Sequence, residues 1–385
     1  MAHQAMTARE RVLRSLAHRE PDRVPLDMGT TTTSIHRTAY RRLKQHLGLD
    51  GAEPVIIDRM QQVVRVEEAV LRRFSVDTRQ LHLRPARPWA QDADGTWRDE
   101  WGIRYRPGAD GNYFDMFGHP LAEAERQDLD RFPWPDPADP RRLEGLAREA
   151  EELHEHGTYA VVLSGFNETI FGLPSWLRGP AQFYMDFLLN PGFLEEFLDR
   201  MLDYAMRLAG SALAALGRHV DVIRVADDLG TENDLMISPE LYRSFIKPRQ
   251  KTFYAYLKGH SDARILIHSC GAISEIIPDL VEIGVDAINP VQVSARGMDS
   301  RELKARFGGQ VTFWGGGCDT QHVLPFGSVA DVEEEVRRRT ADLAPGGGFV
   351  FTPVHNIQFD IAPEKIAALY DAAIRWGSSP GAARG

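Results

Sequence analysis

Eight short apolar runs, rich in Val, Ile and Phe and separated by longer stretches of helical periodicity, limit how this chain can fold. They span residues 23–28, 76–83, 159–163, 220–225, 264–268, 285–289, 311–314 and 348–352. Strands separated by helices pair in parallel through crossovers rather than as hairpins. Eight of them predict an α/β chain folded as a closed (β/α)8 TIM barrel rather than an open doubly wound sheet. Helices are expected over 191–216, 238–258, 274–283, 301–307, 329–343 and 363–375; the second opens Ser238-Pro239-Glu240, a cap followed by a first-turn proline. Arg9, Glu10, Arg11 and Arg14 lie among apolar residues at helical spacing and predict an N-terminal helical extension. Residues 84–139 mix aromatics with turn residues and end in Phe132-Pro-Trp-Pro-Asp-Pro, so they read as a β-hairpin insertion after strand two with a rigid connector. The whole of 1–385 is thus expected to be one barrel domain, with a frayed small-residue tail over 378–385.

Composition narrows the function. The 385 residues carry a formal charge of −10, which disfavours a nucleic-acid partner and favours a small molecule or another protein. With only two cysteines, Cys270 and Cys318, a disulfide scaffold is excluded and a reducing, cytoplasmic setting is expected. No stretch approaches the roughly 20 apolar residues of a membrane span, and the N-terminus lacks an uninterrupted apolar signal core.

In a (β/α)8 barrel the chemistry gathers at the C-terminal ends of the strands. Both cysteines and two histidines fall there: His268 and Cys270 after strand five, Cys318 after strand seven, His355 after strand eight. Side chains two apart on an extended segment point the same way, so His268 and Cys270 can present an imidazole nitrogen and a sulfur to one point. Completed by Cys318 or His355, they form the three-ligand set of a catalytic zinc, which leaves one position for substrate. Taken singly, either cysteine reads more readily as a small core residue; it is the set of four at strand ends that points to a metal. Strand four ends in Asp227-Asp228, whose side chains diverge; Asp228 is the candidate for the site, to orient substrate, take a proton or brace a ligating histidine. Asn167 and Glu168 after strand three are further catalytic candidates, set against ordinary turn chemistry. The glycine triplets 315–317 and 346–348 lack a phosphate-binding pattern, and no G-x-S-x-G elbow is present.

These strand ends carry a resemblance. The segments Asp228-Leu-Gly-Thr, Ile237-Ser-Pro-Glu-Leu-Tyr, Lys247-Pro, Ile267-His-Ser-Cys-Gly-Ala-Ile, Ile283-Gly-Val-Asp-Ala-Ile-Asn-Pro-Val-Gln, Phe313-Trp-Gly-Gly and Pro353-Val-His-Asn-Ile-Gln resemble the uroporphyrinogen decarboxylase superfamily, more narrowly its cobalamin-dependent methyltransferase branch. The opening Arg9-Glu-Arg-Val-Leu and Glu20-Pro-Asp-Arg-Val-Pro is similar too, so the likeness runs nearly end to end, with 84–139 least covered. True decarboxylases of this kind place arginines after strand one to hold the acidic arms of the porphyrinogen. Here that stretch reads Met28-Gly-Thr-Thr-Thr-Thr-Ser-Ile-His-Arg, hydroxyl-rich and nearly uncharged. The methyltransferase branch implies zinc on a His-x-Cys pair, matched by His268 and Cys270, and a later cysteine where this chain has His355; Cys318 is the alternative. It also implies methyl exchange between a small molecule and a corrinoid. The chain has no Asp-x-His-x-x-Gly cobalamin motif, so a cobalamin would arrive on a separate corrinoid protein. A homodimer is a candidate assembly. The competing expectation is a metal-free lyase that decarboxylates a smaller acid around Asp228.

Overall fold

The computed structural model describes residues 6–49 and 51–378. Most of the expected tail, 379–385, therefore lies outside the described residues. Seven strands form one curved parallel sheet in unbroken chain order: β1 (Thr78–His82), β2 (Ala160–Phe166), β3 (Val222–Ala226), β4 (Arg264–His268), β5 (Ala287–Asn289), β6 (Thr312–Trp314) and β7 (Phe349–Val350). The eighth run, 23–28, is not a regular strand and makes only isolated bridges, antiparallel from Arg23 to Ser378 and parallel from Leu26 to Phe351. Two features interrupt its ladder: Pro25 has no N–H to give, and the Leu26 amide donates to the buried Asp77 carboxylate at 2.7 Å instead of to a neighbouring strand. The segment still joins the two sheet edges, because the Asp27 amide donates to the Phe351 carbonyl and the Asp77 amide to the Leu26 carbonyl. The result is a TIM-barrel-like α/β fold.

Alternation along the strands divides the barrel interior into two zones. Toward the strand N-termini, Val162, Val222, Leu266, Ala287, Trp314 and Val350 form an apolar plug sealed by Val12 and Leu16 of the N-terminal helix α1 (Ala8–Leu16). A capping box between Thr7 and Glu10 starts that helix, and its Arg11 reaches Asp77 at 2.6 Å. One inward step further along the strands the residues turn polar: Ser164, Arg224, His268 and Asn289 are all buried. Such a layer is costly unless its polar groups are partnered, and it marks the floor of the site.

The helices at Pro191–Leu216 and Val329–Leu343 match the sequence periodicity. The one expected over 238–258 is interrupted. Ser238 caps Pro239–Leu241, and a π-turn over Tyr242–Ile246 precedes Lys247–His260. Pro248 cannot donate to the preceding turn, and the wider turn accommodates its ring. The insertion is larger than one hairpin: Ala90–Gln91, Trp97–Arg98, Arg104–Pro107 and Phe114–Gly118 form a four-stranded antiparallel meander. Its aromatic face stacks Trp97 on Tyr105, ring centroids 4.1 Å apart, and Trp89 on Trp97 at 3.9 Å. Among the described residues no helix is long and apolar enough to cross a membrane.

Candidate active site

A cavity of about 490 Å³ opens at the C-terminal ends of the strands, with His268, His355, Arg224, Asp228, Asn167 and Glu168 in its lining. Trp89, Trp101 and Tyr105 of the insertion also line it, so the meander walls the mouth of the barrel.

His268 and Cys270 lie on one side of the β4 end, as their two-residue spacing dictates, with Nε2 and Sγ 3.4 Å apart. His355, from the loop after β7, faces them, its ring centroid 5.5 Å from that of His268. One donor atom from each of His268, Cys270 and His355 lies within 4.8 Å of the other two. Each histidine is held by an asparagine whose orientation is itself fixed. Asn289 donates its amide nitrogen to the Trp314 carbonyl at 2.8 Å, which leaves its oxygen to accept from His268 Nδ1 at 2.6 Å. Asn356 donates to Gln61 at 2.7 Å and to the Thr31 carbonyl, and its oxygen accepts from His355 Nδ1 at 2.9 Å. Both rings are thereby set in the tautomer that bares Nε2, the arrangement expected of histidines that ligate a metal. Burial holds His268 neutral, its pKa lowered to about 3, and lowers that of His355. Burial, with Asp228 and Glu168 nearby, pushes the Cys270 thiol up; a bound cation would reverse this and draw the thiolate. Two neutral imidazoles and one sulfur, braced from behind, fit zinc.

Cys318 does not join them. It is fully buried, with its sulfur 3.7 Å from Glu335 Oε2 on the Val329–Leu343 helix, and its thiol is pushed up by burial and that carboxylate. The loop after β6 turns the side chain outward into the helix layer, so of the two candidate third ligands only His355 faces the pair. Cys318→Ser is therefore expected to leave zinc content unchanged and to lower stability by about 1 kcal/mol, the cost of a more polar group in that pocket, as checked by metal analysis and urea unfolding.

The two aspartates diverge as their positions require. Asp227 is buried in the helix layer, accepting from the amides of Ile170 and Phe171 and from Gln250. Asp228 turns to the cavity, accepts from the Cys270 amide at 2.8 Å and sits 3.7 Å from His268 Nε2. Glu168 is held at φ +54 and accepts from the Asp228 amide at 2.9 Å. Burial and then the charges of Asp228 and Asp227 push its carboxyl well above the usual range, and its side chain lines the cavity. Asn167 accepts from Arg224 Nη1 at 2.6 Å.

Residues 116–376 match the family described as uroporphyrinogen decarboxylase (URO-D). The chain belongs to that family. It is 25% identical over 369 residues to a uroporphyrinogen decarboxylase of Alkalilimnicola ehrlichii, an alignment covering 94% of this chain and 93% of the relative. Among solved structures it is similar to a methyltransferase from Methanosarcina mazei, with a TM-score of 0.67 and 18% identity, covering 96% of this chain and 99% of that one. At that identity the match speaks for the shared fold. Within this URO-D family chain, the hydroxyl-rich segment after the irregular first strand is buried: Thr30, Thr32 and Thr33 bond one another, and Thr32 reaches Asn289 and Arg224. Sequence reading missed Arg224, Asn289 and Asn356. For Arg224 the signal was present, as a charged residue inside the apolar run Val222-Ile-Arg-Val-Ala.

Proposed function

We propose that the protein is a zinc-dependent methyltransferase moving a methyl group between a small molecule and a corrinoid carried by a separate protein. The observation that carries this reading is the convergence of His268, Cys270 and His355 on one point of a cavity sized for a small molecule. Bound there, zinc supplies Lewis acidity, either keeping a substrate thiol as the thiolate or polarising the heteroatom that bears the methyl. The chain's own residues do the rest. Asn289 and Asn356 fix the ligand rings, Asp228 braces the Cys270 backbone, and Glu168, its carboxyl pushed up by burial, is placed to give a proton to the heteroatom that loses its methyl. Trp89, Trp101 and Tyr105 of the insertion wall the small molecule. The buried, hydroxyl-lined Thr30–Thr33 turn offers no counter-charges for a polycarboxylate, which weighs against porphyrinogen as substrate.

The test uses zinc-loaded protein with methylcobalamin, or a methylated corrinoid protein, and a panel of thiols, methoxylated aromatics and methylamines. The cobalt absorption spectrum is expected to change only when the protein is present, and His268→Ala to abolish the change. Carbon dioxide released from a carboxylic acid, with no corrinoid turnover across the panel, would replace this reading with a lyase.

A further inference from the structure

Arg224 stands on β3, one inward step before Ala226, which pairs in register with His268. It is 2% exposed, yet it lines the floor of the cavity. A guanidinium keeps its charge in any protein and carries five N–H donors. Two are placed: Nη1 donates to Asn167 Oδ1 at 2.6 Å and Nη2 to Thr32 Oγ1 at 3.2 Å. Both acceptors are neutral. Nε is buried and has no partner. Among the described residues no carboxylate comes within ion-pair distance of this side chain, although the other arginine buried at the barrel rim, Arg142, is paired with Glu100 at 2.9 Å. The acids that line the floor are committed elsewhere: Asp228 accepts from the Cys270 amide, and Glu168 from the Asp228 amide. Glu168, Asp228 and Asp27 act on its charge through space, but none of them bonds it, so a desolvated guanidinium faces the cavity with neutral direct partners and an open place for an anion.

We propose that Arg224 is the anion site of the substrate: the small molecule that exchanges its methyl here carries a single carboxylate, which seats on the Arg224 guanidinium. This rests on the reading of the cavity as a small-molecule methyl-transfer site, and it names the class of molecule. Thr32 and Asn167 aim the guanidinium, and their neutrality leaves its charge available. The same Thr32 hydroxyl lies 3.3 Å from Asn289 Oδ1, which accepts from His268, so anion site and metal site share one hydrogen-bonded chain. Two residues of strand rise separate the two levels, about 6.6 Å, which suits a molecule the size of a benzoate or a short amino acid. One arginine answers one carboxylate, as a bidentate pair.

The test is equilibrium binding to the full-length protein, read by tryptophan fluorescence and by thermal shift, with acetate and benzoate as probes and acetamide and benzamide as their neutral counterparts. Both carboxylates are expected to bind saturably and the amides about 30-fold more weakly or worse. Arg224→Met should remove the difference, and Arg224→Lys should keep part of it. If Arg224→Met does not fold, Asn167→Leu, which frees the guanidinium from its aim, should weaken benzoate and leave benzamide unchanged. Equal binding of acids and amides, retention of benzoate affinity in Arg224→Met, or no saturable binding of either carboxylate would overturn the proposal. Failure of the methyl-transfer reading is separable: carboxylates would then bind through Arg224 in a protein that turns over no corrinoid. Turnover of neutral substrates without carboxylate binding would remove this inference alone.

Discussion

Cys270→Ala is expected to weaken zinc binding by about 100-fold or more, because a three-ligand site loses its only anionic donor. What remains is two neutral imidazoles, His268 and His355, whose asparagine braces are untouched by the substitution. The apo variant should fold as well as the parent, since the sulfur contacts only groups of the site itself, the His268 ring and the Asp228 carboxylate, among the described residues. Competition against a chromophoric chelator measures the zinc affinity, and far-ultraviolet circular dichroism checks the fold. Unchanged zinc content in a folded Cys270→Ala protein would remove the thiolate from the site.

Gly271→Ala is expected to lower stability by about 3 kcal/mol, the combined cost of overpacking and of a left-handed backbone for a residue with a Cβ. Gly271 has φ +87, and a Cβ there would run into the backbone of Gly230 and Thr231, well inside van der Waals contact. Backbone on that side cannot rotate away as a side chain would. The Ala272 amide donates to the Thr231 carbonyl at 2.8 Å and the Gly271 amide to Gln292 Oε1 at 2.7 Å, which ties the loop down further. Relief therefore has to come from moving the neighbouring Cys270, so zinc affinity should fall together with the urea midpoint. A variant as stable as the parent, with its zinc affinity intact, would contradict the close approach of these two loops.

These two residues illustrate which parts of the site could be read from sequence. His268 and Cys270 share a face because strand geometry has a period of two, and that period is visible in any sequence once the strand is placed. The β4 bounds follow from the same apolar run. The choice between Cys318 and His355 was not visible, because Cys318 lies four residues beyond the end of β6, where the period no longer applies and the turn decides which layer the thiol enters. The first strand was legible as an apolar run but not as an irregular one; the interruption depends on Asp77, about fifty residues away, capturing the Leu26 amide. Alternation over 97–106 and 112–117 was legible in the insertion, but the meander exceeded the expected hairpin because its first two strands are only two residues long, too short to be told from turns. Arg224 was hidden differently. A charged residue in a buried strand is legible as an anomaly, but that its bonded partners, Asn167 and Thr32, are both neutral is decided by segments far apart in the chain and by no single stretch of sequence.

X-ray absorption at the zinc edge of protein loaded with one equivalent of zinc tests the central claim most directly. One sulfur at about 2.3 Å and two imidazole nitrogens at about 2.0–2.1 Å are expected, with light atoms from solvent completing the shell. Two sulfurs, a shell of oxygen alone, or a protein that retains no zinc would contradict the claim.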